Sequence, residues 1–391
     1  VLAKMESEGI YIDIKMLQDL NVEMKQKVDQ LTNEIIELAG VDFNVASPKQ
    51  LGEILFDKLN LPFGKKTKTG YSTNVDILNK LKGVHPIIEK IMEFRTLSKL
   101  YSTYVVGLEN ATLKDGKIHT IYRQAFTSTG RLSSVEPNLQ NIPIRYEEGR
   151  EIRKVFVPKE GNLLLASDYS QVELRVLAHM ANELVLIDAF NNNEDIHKST
   201  AAKVFNVPLE EVTKEQRSHA KTVNFGIIYG VSAFGLSNQT SLSRAESAAL
   251  IEAYYITYPK LKSYIQEQIE SARENGFVQT ILGRRRYLKD INSANAIVRG
   301  AAERNAVNAP IQGSAADIIK IAMINIHKRL IAENWKSKML LQVHDELVFD
   351  VHNSELEKIQ PMIKHEMENA FKMAVPLDVE IGLGKNWLEA H

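Results

Sequence analysis

No cysteine occurs anywhere in the chain, which excludes a disulfide framework, a zinc–thiolate site and a thiol nucleophile. No apolar run reaches the length that spans a bilayer, so no membrane partner is expected. The start shows no basic stretch followed by an apolar one, and so no secretory leader is expected. The first residue is Val1 and not Met, which suggests a fragment of something longer. Neither sign of charge dominates: 48 Lys and Arg face 49 Asp and Glu, a net of −1. The molecule is no polycation, and any nucleic-acid contact must come from local patches. Internal repeats and low-complexity tracts are also missing. What is present is an ordinary globular composition, 44% hydrophobic, over 391 residues, enough for two or three domains.

The pattern along the chain changes character twice. Residues 1–115 read as mostly helical. Ser47-Pro48-Lys49-Gln50 has the form of a capping box with Pro at the first helical position. A basic loop over 61–70 follows, bounded by Pro62, Gly64 and Gly70, and fits either a solvated connection or a clamp on a polyanion. Between 116 and 171 two strands are predicted, Lys117–Tyr122 and Asn162–Ser167. From 172 to about 297 the pattern is helical again, with capping boxes at Thr213–Gln216 and Ser243–Glu246. An Ala- and Ile-rich helix, a hairpin around Asp345, a further helix and a short strand at Leu377–Ile381 complete the chain. Strands from two separated stretches, with helices between them, indicate an α+β fold whose sheet is finished late.

Two acids stand out. Asp168 ends the apolar run Leu163–Ser167, and Asp345 interrupts Met339–Phe349, with Glu346 beside it. An ionised carboxylate on a buried strand is costly unless a cation or donor compensates it. Each acid alone fits a turn or cap. Two together, if the fold joins them, fit a pair of divalent metals and hence phosphoryl transfer. In the helix after Thr213, Arg217, Lys221, Phe225 and Tyr229 recur every fourth residue. Each step drifts only about 40°, so they form one slanted stripe, cationic at one end and aromatic at the other. The stripe has the shape of a nucleoside triphosphate; it is also what an amphipathic helix with core aromatics and a solvated basic end would show. Arg304, Asn308 and Gln312 share a helical face and could read minor-groove acceptors. Arg95, Lys99, Lys65, Lys66 and Arg284–Arg286 are candidate phosphate contacts.

These pieces resemble the polymerase portion of the family A DNA polymerases. Asp168-Tyr169-Ser170-Gln171-Val172-Glu173-Leu174-Arg175 is similar to that family's motif A. Arg217 to Lys221 with Phe225 to Gly230 is similar to motif B, and Gln342-Val343-His344-Asp345-Glu346 to motif C. Thr129–Ser134, Pro137–Pro143 and Ala309–Gly313 match further family runs, and the resemblance covers essentially the whole chain in order.

The resemblance implies a right hand: a thumb at 1–115 with its tip loop at 61–70, a palm at 116–171 and 298–391, and fingers at 172–297. It implies primer extension with deoxynucleotides on two Mg²⁺ ions, for which Mn²⁺ can substitute. Asp168, the Tyr169 carbonyl and Asp345 would hold the metals, and Glu346 would be a nearby, less essential acid. Arg217, Lys221 and His197 would hold the triphosphate, with Gln171 also at the nucleotide and Lys221 a proton donor to the leaving pyrophosphate. Tyr229 would stack near the base, Glu173 would exclude a 2′-hydroxyl, and Phe225 would discriminate against dideoxynucleotides. Arg131, Asn141, Arg304, Asn308, Gln312 and His344 would hold the primer-template. One departure is Ser218, where the family usually has a second Arg. Proofreading and flap-nuclease domains precede this region in the family, so neither activity is expected of this chain. A monomer in the bacterial cytoplasm, near the nucleoid, is the expected setting. A single-subunit RNA polymerase is disfavoured by Glu173. A catalytically silent DNA-binding relative is disfavoured by the intact acids, and a nuclease by the stripe it would not need.

Overall fold

Apolar residues on both faces of four successive strands build the centre of the molecule. In the computed structural model these are β1 (Asn162–Tyr169), β2 (Lys338–Val343), β3 (Glu346–His352) and β4 (Val379–Gly384). The structure describes every residue except Phe63, Lys65, Thr69 and Arg145, and Thr67 in its backbone alone. The strands lie in the order β2-β3-β1-β4, each antiparallel to its neighbours. Side chains alternate across the pleat. Leu165, Tyr169, Leu347 and Phe349 enter one core, shared with α1 (Val172–Ala181) and the long α4 (Ala296–Ala332). Leu164, Ala166, Leu341 and Val348 enter the other, shared with the helices Ile14–Ala39 and Ile87–Leu100. A sheet covered on both faces is rigid, and its strand ends are fixed platforms for side chains.

Helix starts follow their caps. Thr213 and Ser243 both form complete capping boxes, opening α3 (Lys214–Ile228) and the helix Arg244–Thr257. At Ser47 the box is half closed: its hydroxyl accepts from Gln50 N, but the Gln50 side chain accepts from Asn44 N instead. Asp195 caps α2 (Ile196–Phe205) by accepting from His197 N and Lys198 N.

Two readings of the sequence need correction. The Lys117–Tyr122 strand is two strands, Lys117–Ile118 and Ile121–Arg123, in different sheets. The chain is redirected at Thr120, whose hydroxyl lies 2.8 Å from Pro137 O and 3.0 Å from Val135 O. Ile10–Ile12 is a short strand between Lys117–Ile118 and Phe156–Val157, and the N-terminal region is otherwise mostly helical. The stretch 172–297 contains a hairpin, Phe277–Gln279 with Arg285–Tyr287, closed by edge-on packing of Phe277 on Tyr287. Lys66–Thr67 pairs with Gly70–Tyr71 within the basic loop. Among the described residues, no helix is long and apolar enough to cross a membrane.

Candidate active site

The hairpin between β2 and β3 turns on two residues, His344 and Asp345, with His344 in the left-handed region at φ 56°. Such a turn matches the strand twist and sets its tip firmly. The register places Glu346 and Glu380 on either side of Asp168. Asp345 is fixed beside them, because Tyr169 N donates to its carbonyl at 3.3 Å. The two aspartates, distant in sequence, therefore meet at one edge of the sheet. Burial, and then the charge of Asp345, push Asp168 up to about 7; burial also raises Asp345. Oδ1 of Asp168 is buried without a hydrogen-bond partner.

This pair fits a hard divalent cation. Two desolvated carboxylates repel, and a cation between them removes both the repulsion and the unmet acceptor. Among the described residues no group of three or more His, Asp or Glu side chains is arranged to hold a metal. The protein would thus supply two carboxylates and leave the remaining positions to water and phosphate, as Mg²⁺ prefers. The Tyr169 side chain is buried and donates to Met367 O at 2.7 Å, so it could reach a cation only through its main chain.

The stripe on α3 has its cationic end in solvent. Arg217 Nε donates to Asp195 Oδ2 at 2.8 Å, and Lys221 is exposed without a side-chain partner among the described residues. His197 is buried against Phe225, ring centroids 5.6 Å apart. The Asn224 amide donates to His197 Nδ1 at 3.0 Å, which leaves the proton on Nε2. Burial, then the nearby Arg217 charge, hold His197 down at about 4, so it is neutral at physiological pH. At the aromatic end the Tyr229 hydroxyl donates to Glu173 Oε2 at 3.0 Å, and Arg131 donates to Glu173 Oε1. Burial raises Glu173 despite the Arg131 charge. Gln171 opens α1 in a left-handed conformation, φ 54°, with its Oε1 buried and unpartnered.

Most of the duplex candidates gather on the same side. Gln312 Nε2 donates to Tyr229 Oη at 3.3 Å, and Asn308 Nδ2 to Ile228 O at 3.5 Å. Arg304 is exposed, its aliphatic stem packed against Gly230. His344 is an exposed turn residue whose carbonyl accepts from Gln342 Nε2 at 2.5 Å, and Asn141 is exposed. Arg95, Lys99 and Lys66 form a separate group. Arg95 and Lys99 line a groove of about 680 Å³ with Tyr71 and Thr73. Arg95 is not free, since both its terminal nitrogens donate to Thr73. Lys66 lies 5.0 Å from the centre of the Tyr71 ring. Lys65 lies outside the described residues. Arg284 is not an open phosphate contact: it donates to Asp317, Thr129 O and Gly313 O.

Sequence reasoning missed the groups that hold these residues. Asp195 tethers Arg217, Asn224 sets the His197 tautomer, and Gln140 braces Gln342 through its carbonyl at 3.2 Å. It also missed Trp387 and His391, which both bond Glu346. Only Trp387 gave a signal, as one of two tryptophans in the chain.

The two-aspartate platform is linked to the cationic-aromatic helix through the Tyr229–Glu173 bond, and comparison with known proteins gives the class of fold. Residues 14–389 match the family described as DNA polymerase family A. The chain belongs to that family. It is 54% identical over its full length to DNA polymerase I of Lactococcus lactis subsp. lactis (strain IL1403) and 50% to that of Geobacillus stearothermophilus. It spans 45% of the length of these curated relatives. Among solved structures it is similar to the POL domain of Pol1 from M. smegmatis, a complex with DNA primer-template and dNTP. That similarity has a TM-score of 0.94 at 45% identity, covering 100% of this chain and 69% of the other. The α+β architecture is the right hand of these polymerases.

Proposed function

We propose that this chain extends a DNA primer on a DNA template, joining deoxynucleotides to the 3′-hydroxyl and releasing pyrophosphate. The observation that carries this reading is the meeting of Asp168 and Asp345, with a buried acceptor left unpartnered, at the sheet edge. When bound there, two Mg²⁺ ions, or Mn²⁺ in their place, would activate the primer hydroxyl and neutralise the charge that develops on the phosphates. Asp168, the Tyr169 carbonyl and Asp345 are the protein groups that would hold them. Arg217 and Lys221 bind the β- and γ-phosphates as cations, and neutral His197 donates from Nε2. Lys221, without a side-chain partner among the described residues, would give a proton to the departing pyrophosphate. Gln171 borders the nucleotide. Phe225 packs by the sugar, where the missing hydroxyl disfavours dideoxynucleotides. Glu173 closes the space a 2′-hydroxyl would need, and Tyr229 leaves Glu173 as α3 swings in over the base pair.

In this reading residues 1–115 act as the thumb, 116–171 with 298–391 as the palm, and 172–297 as the fingers. Arg131, Asn141, Arg304, Asn308, Gln312 and His344 hold the primer-template near the acids, and Arg95, Lys99 and the 61–70 tip hold duplex further back. The chain acts as a monomer on DNA in the bacterial cytoplasm.

Primer extension with deoxy- and ribonucleotides, with Mg²⁺ present or chelated, tests the reading. Wild type should extend only with deoxynucleotides and metal. Asp168→Ala and Asp345→Ala should abolish addition while fluorescence anisotropy shows duplex binding largely retained. Extension at the wild-type rate in either variant would remove the metal assignment.

A further inference from the structure

We propose that Trp387 and His391 are positioning residues for the two-aspartate site, clasping Glu346 so that its carboxylate does not join the two aspartates at the cations. The inference rests on the metal reading above and deepens it. Glu346 stands directly across the strand from Asp168, on the same face of the sheet. Side chains so paired lie about 5 Å apart at their Cβ atoms, near enough for Glu346 to share a cation with Asp168. It is turned to other partners instead. Oε1 accepts from Trp387 Nε1 at 2.6 Å, and Oε2 lies 2.7 Å from His391 Nδ1. Glu346 is 3% exposed, whereas the neighbouring Asp168 keeps a buried, unpartnered oxygen. Of the three acids in the row, Glu346 is satisfied by protein donors, Asp168 is left open, and Glu380 is exposed on the outer strand β4.

The tryptophan donor is itself fixed. Trp387 is fully buried, edge-on to Phe156 at 5.3 Å, and the Arg153 guanidinium lies 4.3 Å over its ring. That stack puts a buried cation close to Glu346. The short helix α5 (Trp387–Ala390) is pressed onto β4 at two glycines. A Cβ on Gly382 would come within 2.1 Å of Ala390 O, and one on Gly384 within 2.4 Å of Glu389 Cβ. No side chain other than glycine's lets α5 lie so near the strand, so the tryptophan donor cannot drift from Glu346. The arrangement explains why the site presents the small carboxylate number that suits an ion which must also bind, and release, phosphate oxygens.

Without the clasp, Glu346 becomes a further free carboxylate beside the two aspartates, which strengthens resting cation binding and misplaces the cation for turnover. The test is Mn²⁺ binding to the full chain without DNA or nucleotide, read from the free-ion electron paramagnetic resonance signal. His391→Ala, whose side chain is partly exposed, is the first variant; Trp387→Phe, which keeps a ring but loses the donor, is the second. Each should bind Mn²⁺ about fivefold tighter, near the upper end of what a partly exposed charge contact gives. Adding Glu346→Gln to either should return the affinity to that of Glu346→Gln alone. In primer extension, kcat should fall with the KM for deoxynucleotide unchanged. Unchanged or weaker Mn²⁺ binding in His391→Ala overturns the proposal, as does a gain that survives Glu346→Gln. Asp168→Asn separates the two readings: if it leaves wild-type Mn²⁺ binding intact, the two-aspartate site fails whatever the clasp variants do.

Discussion

At the scale of single residues, the site works by setting which groups are charged before substrate arrives. His197 is the clearest case. It sits on the stripe's cationic side, yet burial and Arg217 keep it neutral, near 4 against an ordinary 6.5. Above pH 6.5 the imidazole is neutral in folded and unfolded chains alike, and its burial carries no protonation cost. Between 6.5 and 4 the unfolded chain takes up a proton that the folded one refuses, so stability falls as pH falls. His197→Gln removes this titration. At pH 4.5 the variant should have lost roughly 2 kcal/mol less unfolding free energy, relative to pH 7.5, than wild type loses. Parallel urea titrations at the two pH values measure the difference, and equal losses would show that His197 is not held neutral. In the proposed reading a neutral donor would suit a triphosphate held by Arg217 and Lys221, because it would add a hydrogen bond without a third like charge to repel them.

At the scale of elements, α3 is held at each end by different means. Its start is a closed capping box; its end is the Tyr229–Glu173 bond and Gly230. Gly230 has φ 66°, and a Cβ there would meet Arg304 Cγ at 2.8 Å. Gly230→Ala should therefore destabilise the protein by roughly 1–2 kcal/mol, from left-handed strain and from displacing the Arg304 stem. Thermal unfolding reads the loss, and a wild-type Tm would mean that the turn does not depend on glycine. This helix was readable from sequence because its information is local: Thr213 and Gln216 announce the start, and a four-residue spacing makes the stripe. Asn162–Tyr169 and the hairpin at His344-Asp345 were readable for the same reason, as apolar runs broken by one acid. The Lys117–Tyr122 strand was misread because its break depends on Thr120 reaching Pro137 and Val135, contacts absent from any local window. The Phe277–Tyr287 hairpin was missed because it is a short strand pair inside a long helical region.

At the scale of the whole molecule, function depends on parts that no window of sequence relates. Motif spacing named Asp168 and Asp345, but they share one end of the sheet only because β3 pairs with β1 across nearly half of the chain. Glu346 was named from its place next to Asp345, and its clasp by Trp387 and His391 was illegible, since pairing across the fold leaves no periodicity. The same holds for the proposed DNA binding by a protein of net charge −1. Affinity must come from a few cations in the right places, and these differ in kind. Lys99 is exposed in the groove and free to release a counterion on meeting phosphate. Gln312 is uncharged and bonded to Tyr229, so its contribution is a directed hydrogen bond near the acids. Arg95 is spent largely on Thr73. For duplex binding measured across salt concentrations, Lys99→Ala should lower the slope of log affinity against log salt by about one. Gln312→Ala should weaken binding with the slope unchanged. Arg95→Ala should change the slope by less than Lys99→Ala does, and lower Tm more, because its loss releases the Thr73 segment. Equal slopes for Lys99→Ala and wild type would move the duplex off the 680 Å³ groove and restrict contact to the residues around the acids.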